Sequence, residues 1–159
     1  MKQELFVKLI LDSWNSNLSR VTDLVHTLTD EQLRKEVAPG RNTGIYLLGH
    51  LTAVNDRLLA MFNFEPQLYP QLDEVFLTSP DKAGKEMPSA ADLRSYWKKV
   101  NETLSGHFTN LQPDDWFKKH NSVSDEDFAK EPHRNRLNVL ISRNNHLSYH
   151  FGQMIFLKK

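Results

Sequence analysis

Apolar residues recur every three or four positions in four long stretches of the chain, and each stretch predicts an amphipathic helix. Capping residues support these helices. Asn42 or Thr43 precedes the second helix and Ser89 precedes the third, while Thr29 with Gln32 forms a capping box for a short helical piece between the first two. No stretch shows the sustained alternation that would indicate a strand. The four long helices are predicted over residues 3–28, 43–62, 89–111 and 134–157.

Four long helices in 159 residues predict an all-α protein, a four-helix bundle formed by a single domain over residues 1–159. Two connections are long and proline-containing, residues 63–88 after the second helix and residues 112–133 after the third. Connections of this length can cross a bundle from end to end and often carry function. We expect Trp116, Phe117 and Phe128 to attach the second connection to the bundle.

Charge and composition exclude several classes of function. Twenty basic residues balance twenty acidic ones, so the chain lacks the basic excess of a nucleic-acid-binding protein. No apolar run is long enough to span a membrane, and the N-terminus lacks a signal-peptide core. The chain has no cysteine, which removes disulfides, thiolate ligands and a cysteine nucleophile together. These features predict a cytoplasmic protein.

Three histidines carry the strongest chemical signal. His146 and His150 are spaced i, i+4, which places both imidazoles on one face of the fourth helix. His50 lies on the inward face of the second helix, and it reaches the same level if the two helices are antiparallel. Three neutral ligands with open coordination positions are typical of catalytic metal sites. The alternative is a metal-free bundle in which the same histidines are hydrogen-bonded core residues.

Other polar residues are weaker candidates. His26 and His107 could reach the bundle interior, although a boundary position is the simpler interpretation of each. One of the adjacent residues Asp56 and Arg57 could face the site, although a solvated face of the helix is the simpler interpretation. Surface or salt-bridge positions are likewise expected for four other residues: Arg41, His120, His133 and Arg143.

Residues 145–153 resemble a closing H-x-x-x-H-x-G-Q motif, and residues 47–51 resemble a second-helix histidine motif. Together they resemble the DinB-like (YfiT-like) superfamily of four-helix bundle metalloproteins over nearly the whole chain. The resemblance places a metal triad on His50, His146 and His150. It also matches Tyr149 and Gln153, whose side chains could orient a ligand or contact substrate. The chain departs from the pattern at Leu147, where many members have glutamate.

The resemblance also implies an up-down-down-up bundle, which makes the second and fourth helices antiparallel. Characterised relatives include bacillithiol transferases and mycothiol-dependent maleylpyruvate isomerases, which hold a divalent metal such as zinc or nickel. The family name implies no polymerase or DNA-binding activity. The resemblance therefore predicts a metal-dependent transferase that activates a low-molecular-weight thiol. A hydrolase at the same site and a non-enzymatic metal-binding or ligand-binding bundle remain alternatives. Relatives are often homodimers, and no catalytic residue is assigned.

Overall fold

The computed structural model describes residues 2–159, and this part of the chain is all-helical with no β-strand. Two isolated bridges, Glu36 with Thr43 and Lys119 with Asn135, close loops instead of forming a sheet. No helix among residues 2–159 combines the length and apolar character that crossing a membrane requires. The helices are α1 (Lys2–Thr27), α2 (Asp30–Leu33), α3 (Gly44–Met61), α4 (Leu72–Phe76), α5 (Ala90–Asn110), α6 (Asp125–Lys130) and α7 (Arg136–Met154).

Side-chain caps mark the starts of α2, α3, α5 and α7. The Thr43 hydroxyl accepts from the backbone N–H of Tyr46 at the start of α3, and Ser89 caps α5 in the same way. The capping box of Thr29 and Gln32 is present at α2. The fourth long helix is shorter than predicted, because Asn135 caps it at its start and a 3₁₀ turn, Ile155–Lys158, follows Met154.

The long helices pack in pairs, α1 against α7 and α3 against α5, and α3 also contacts α7. Three tryptophans at most 1 % exposed, Trp14, Trp97 and Trp116, occupy the hydrophobic core. Contacts between α3 and α7 join the start of one helix to the end of the other: His50 meets His146, and the Phe62 carbonyl after α3 accepts from Arg136.

The connection after α3 is bound back to α3 itself. Asp56 accepts hydrogen bonds from the backbone N–H groups of Leu68 and Tyr69, both at 2.8 Å. The Tyr46 hydroxyl donates to the Ser79 carbonyl at 2.8 Å. Asp56 is fully buried, so the expectation that it lies on a solvated face is wrong. Its carboxylate is needed to satisfy two backbone donors that the connection brings to the surface of α3.

The second long connection is anchored by aromatic packing and by backbone. Trp116, in a 3₁₀ turn over Pro113–Phe117, is buried in the core, and Phe117 packs against that core. Phe128 on α6 is only half-buried and lies outside the core. The backbone N–H of Asn121 donates to the Met61 carbonyl at 2.9 Å, which fixes this connection to the end of α3.

Candidate metal centre

Helices α3 and α7 bring His50, His146 and His150 together. The Nε2 atom of His146 lies 3.1 Å from Nε2 of His50 and 3.0 Å from Nε2 of His150. All three potential ligand atoms lie within 4.8 Å of one another. The rings are steeply inclined to each other, with interplanar angles of 65°, 77° and 88°. The short distances between the Nε2 atoms show that the three rings converge, and the inclined rings are not stacked on one another.

Hydrogen bonds at the opposite nitrogens orient two of the three rings. Nδ1 of His50 lies 2.8 Å from the Phe76 carbonyl oxygen, and Nδ1 of His150 lies 2.7 Å from Oε1 of Gln153. A carbonyl oxygen only accepts, so both imidazoles donate from Nδ1. In the neutral rings the proton is then on Nδ1 and the lone pair is on Nε2. Both lone pairs are directed toward His146.

The three imidazoles are held neutral at pH 7. Burial lowers the pKa of His50 and of His150. Burial also lowers the pKa of His146 to about 4, with further contributions from His150, His50 and Arg143. A neutral imidazole has one N–H, so His146 cannot donate from Nε2 to both neighbours at once. In at least one of its two contacts, to His50 or to His150, the two Nε2 lone pairs therefore face each other with no proton between them.

A divalent cation fits this arrangement. Imidazole nitrogens bind zinc at about 2.0–2.1 Å, so two tetrahedral ligands lie about 3.3 Å apart. The observed separations of 3.0 and 3.1 Å are within a few tenths of an ångström of that value. Among residues 2–159, no carboxylate oxygen belongs to the cluster. Nδ1 of His146 is buried and has no hydrogen-bond partner among residues 2–159. The ring of His146 therefore lacks the hydrogen bond at Nδ1 that orients His50 and His150.

The partner of His50 comes from residues 63–88, which the sequence predicts to be a connection and which contain α4. Helix α4 ends at Phe76, whose carbonyl accepts from His50. The Phe76 ring lies directly over Gly49, where a Cβ atom would come within 2.3 Å of two ring carbons. Glycine at this position is therefore what lets α4 approach α3 closely enough. No feature of the sequence predicts this contact, because the acceptor is a backbone carbonyl.

A cavity of about 270 Å³ adjoins His150 on the side of the loop that precedes α3. It is lined by Arg41 and Asn42 from that loop and by Tyr149 and Gln153 from α7. The Nε2 amide of Gln153 donates to the Tyr149 hydroxyl at 3.1 Å, so Tyr149, Gln153 and His150 form one hydrogen-bonded chain. Tyr149 is 63 % exposed and so does not pack between helices.

Of the remaining polar candidates, only Arg143 lies near the histidine cluster. His107 pairs with Glu65 at 2.7 Å and stacks on Phe64, and Arg57 pairs with Asp73 at 2.9 Å. Arg143 is half-buried and close enough to lower the pKa of His50 and His146. The other histidines are apart from the cluster, with His120 half-buried and two others exposed: His26 and His133.

Comparison with known proteins agrees with this architecture. A search of curated proteins found no match. The crystal structure of a conserved protein from Enterococcus faecalis matches with a TM-score of 0.63 and 16 % identity, covering 94 % of this chain and 93 % of that one. At that identity the likeness shows the fold alone. The family model of the DinB superfamily matches residues 14–154, a range that contains all three clustered histidines. The chain belongs to the DinB superfamily.

Proposed function

We propose that His50, His146 and His150 bind a divalent metal ion, zinc or nickel, and that the protein uses it to activate a low-molecular-weight thiol for transfer to an electrophilic small molecule. The observation that carries this proposal is the convergence of three Nε2 atoms, two of which have their lone pairs fixed by hydrogen bonds at Nδ1. Imidazole is a good ligand for both metals.

The lower pKa of a thiol favours it over water as the nucleophile at this site. Three neutral ligands leave the full charge of a divalent cation in place, which lowers the pKa of a thiol or a water that coordinates it. A free thiol has a pKa of about 8.5, far below that of water, so the thiol requires much less assistance to ionise. No carboxylate joins the cluster among residues 2–159 to serve as general base for water. The chain has no cysteine, so the sulfur has to come from a cosubstrate.

The chain's own residues orient the site and keep it deprotonated. The Phe76 carbonyl and the Gln153 amide oxygen hold His50 and His150 with Nε2 toward the cluster. Burial disfavours the protonated imidazoles, and the nearby cation Arg143 adds to this for His50 and His146. Tyr149 accepts from Gln153, which leaves its own hydroxyl proton available to a molecule in the cavity.

We further propose that residues 1–159 form one domain with an up-down-down-up bundle, and that the protein is a homodimer. Contacts of Asn55 with Asn101 and of Phe62 with Phe108 support parallel α3 and α5. The meeting of the start of α3 with the end of α7 supports antiparallel packing of that pair. Exposed apolar side chains near the start of α1 support a dimer contact there: Leu5, Phe6 and Leu9. A cytoplasmic location stays a prediction from the sequence.

Metal content tests the first part of the proposal. Untagged protein purified without chelator is analysed by plasma mass spectrometry, next to the double variant His146→Ala/His150→Ala. His133→Ala is the matched control, because His133 is exposed and remote from the cluster. We expect near-stoichiometric metal in the parent and the control, and loss of metal in a double variant that circular dichroism shows to be folded. A parent that stays metal-free after incubation with zinc and nickel contradicts the proposal.

Turnover separates thiol transfer from its alternatives. The metal-loaded protein is mixed with a chromogenic aryl halide, with and without a small thiol, and product is followed by absorbance. Thiol-dependent turnover that the double variant lacks supports the transferase. Turnover of ester or amide probes in the absence of thiol would instead indicate a hydrolase. A fully loaded protein inactive in both assays would indicate a non-enzymatic metal-binding bundle.

A further inference from the structure

We propose that the cavity beside His150 binds the oxyanion group, carboxylate or phosphate, of a small-molecule substrate through Arg41 and Tyr149. This inference rests on the proposed function, since it names the chemical class of molecule that the same site takes. The cavity of about 270 Å³ has room for roughly nine waters at about 30 Å³ each. It is therefore large enough for a small polar molecule, and His150 forms part of its wall.

The backbone of Arg41 is fixed while its charge is left available. Its N–H donates to the Ala38 carbonyl at 2.9 Å, and its own carbonyl accepts from the Lys82 ammonium at 3.3 Å. The preceding Gly40 adopts φ +73°, a conformation that favours glycine and turns the loop toward the cavity. No carboxylate between residues 2 and 159 forms an ion pair with the Arg41 guanidinium.

The acidic groups of this region are already engaged by other partners. Glu36 pairs with Lys82 and accepts from the backbone N–H of Gly40 at 2.7 Å. Asp81 accepts from both the backbone N–H and the hydroxyl of Thr43, at 2.6 and 2.9 Å. Glu36 and Asp81 therefore stabilise the loop and do not neutralise Arg41. The positive charge at the cavity wall has no internal counterion and attracts an anion from solution.

Tyr149, which lines the same cavity, supplies a second donor. Its oxygen already accepts from Gln153, so its hydroxyl proton is the group left to donate into the cavity. Arginine binds carboxylate and phosphate oxygens with paired N–H donors, and such charge-assisted hydrogen bonds are about twice as strong as neutral ones. His150 lines the same cavity, so an oxyanion bound by Arg41 and Tyr149 lies beside the histidine cluster.

Binding of simple probes to the zinc-loaded full chain tests this inference. Succinamate carries one carboxylate, succinamide is its neutral counterpart, and inorganic phosphate represents the other oxyanion. We expect NMR titration of the backbone amides to give tighter binding of at least one anion than of succinamide, by about tenfold or more. Arg41→Gln should weaken anion binding about tenfold and Tyr149→Phe several-fold. Tighter succinamate assigns the carboxylate class, and tighter phosphate assigns the phosphate class.

Arg34→Gln is the matched control, because Arg34 is an exposed arginine in the same stretch of chain but outside the cavity lining. It should change the dissociation constant by less than about twofold. Equal binding of succinamate and succinamide, no binding of either anion, or anion binding unaffected by Arg41→Gln would overturn the inference. Metal content is measured on the same samples. Stoichiometric zinc without Arg41-dependent binding refutes only the anion site, and Arg41-dependent binding in a protein that takes up no metal refutes only the metal site.

Discussion

Replacing Gly49 with alanine should damage the metal site without a large loss of stability. A Cβ at this position would come within 2.3 Å of Cε1 and Cζ of Phe76, whereas carbon atoms in contact normally lie about 3.5–4.0 Å apart. The Phe76 ring must therefore retreat by more than about 1 Å. Since Phe76 is fully buried, the ring cannot swing into solvent, and helix α4 has to move with it.

The effects of this substitution on stability and on metal affinity can be worked out separately. Overpacking of this kind costs about 1–3 kcal/mol, while alanine in place of glycine within a helix recovers about 1 kcal/mol. The net loss of stability is then about 2 kcal/mol or less. Movement of α4 by about 1 Å breaks the 2.8 Å hydrogen bond from His50 to the Phe76 carbonyl, and loss of such an outer partner lowers metal affinity about 10–100-fold. The loss of zinc-binding free energy is then about 1.4–2.7 kcal/mol, which is at least comparable with the loss of stability.

Zinc competition against a chromogenic chelator and urea unfolding of the metal-free protein measure the two effects. Gly106→Ala is the control, since Gly106 lies within α5 and a Cβ there meets no atom within 4 Å. That substitution should stabilise the protein by up to about 1 kcal/mol and leave zinc affinity unchanged. If Gly49→Ala binds zinc as tightly as the parent, the Phe76 carbonyl does not orient His50 in the way the distances indicate.

Three further outcomes are expected. Gln153→Ala removes the acceptor of the His150 Nδ1–H and should weaken zinc binding about 10–100-fold in the same competition assay, and an unchanged affinity would contradict that role. The folded-state pKa of His146, about 4, lies below its unfolded value, so the unfolded chain takes up the proton first. Metal-free protein should lose stability as pH falls from about 6.5 to about 4, by up to about 1.4 kcal/mol per pH unit, and His146→Gln should show a shallower loss in urea unfolding. Asp56→Ala leaves the backbone N–H groups of Leu68 and Tyr69 without their acceptor and should lower the free energy of unfolding by about 2 kcal/mol in urea. A change under about 0.5 kcal/mol would mean that water replaces the carboxylate.

Features set by local sequence were predictable. The Thr43 and Ser89 caps act within one helical turn, and their sequences marked the helix starts to within a residue or two. The i, i+4 spacing of His146 and His150 fixes their shared face on any helix. The resemblance to the DinB-like superfamily implies an antiparallel relation of the second and fourth helices, and the family is confirmed.

Features set by tertiary packing were not predictable. The burial of Asp56 follows from where the backbone N–H groups of residues 68 and 69 arrive, and no local pattern encodes that position. The same holds for the Phe76 carbonyl, because a backbone acceptor has no signature in the residue types around it. Arg41 is exposed, in agreement with its predicted surface position, but the sequence does not show that Glu36 and Asp81 are engaged by other partners.

The two oriented histidines differ in how substitution can reach them. His150 is held by a side chain, Gln153, so one codon change can replace a neutral acceptor with a charged or an absent one and retune the basicity of the imidazole. His50 is held by a main-chain oxygen that every residue type at position 76 would still carry. A single substitution at position 153 can therefore change the hydrogen bond that orients His150. A comparable change at His50 requires the connection after α3 to take a different path.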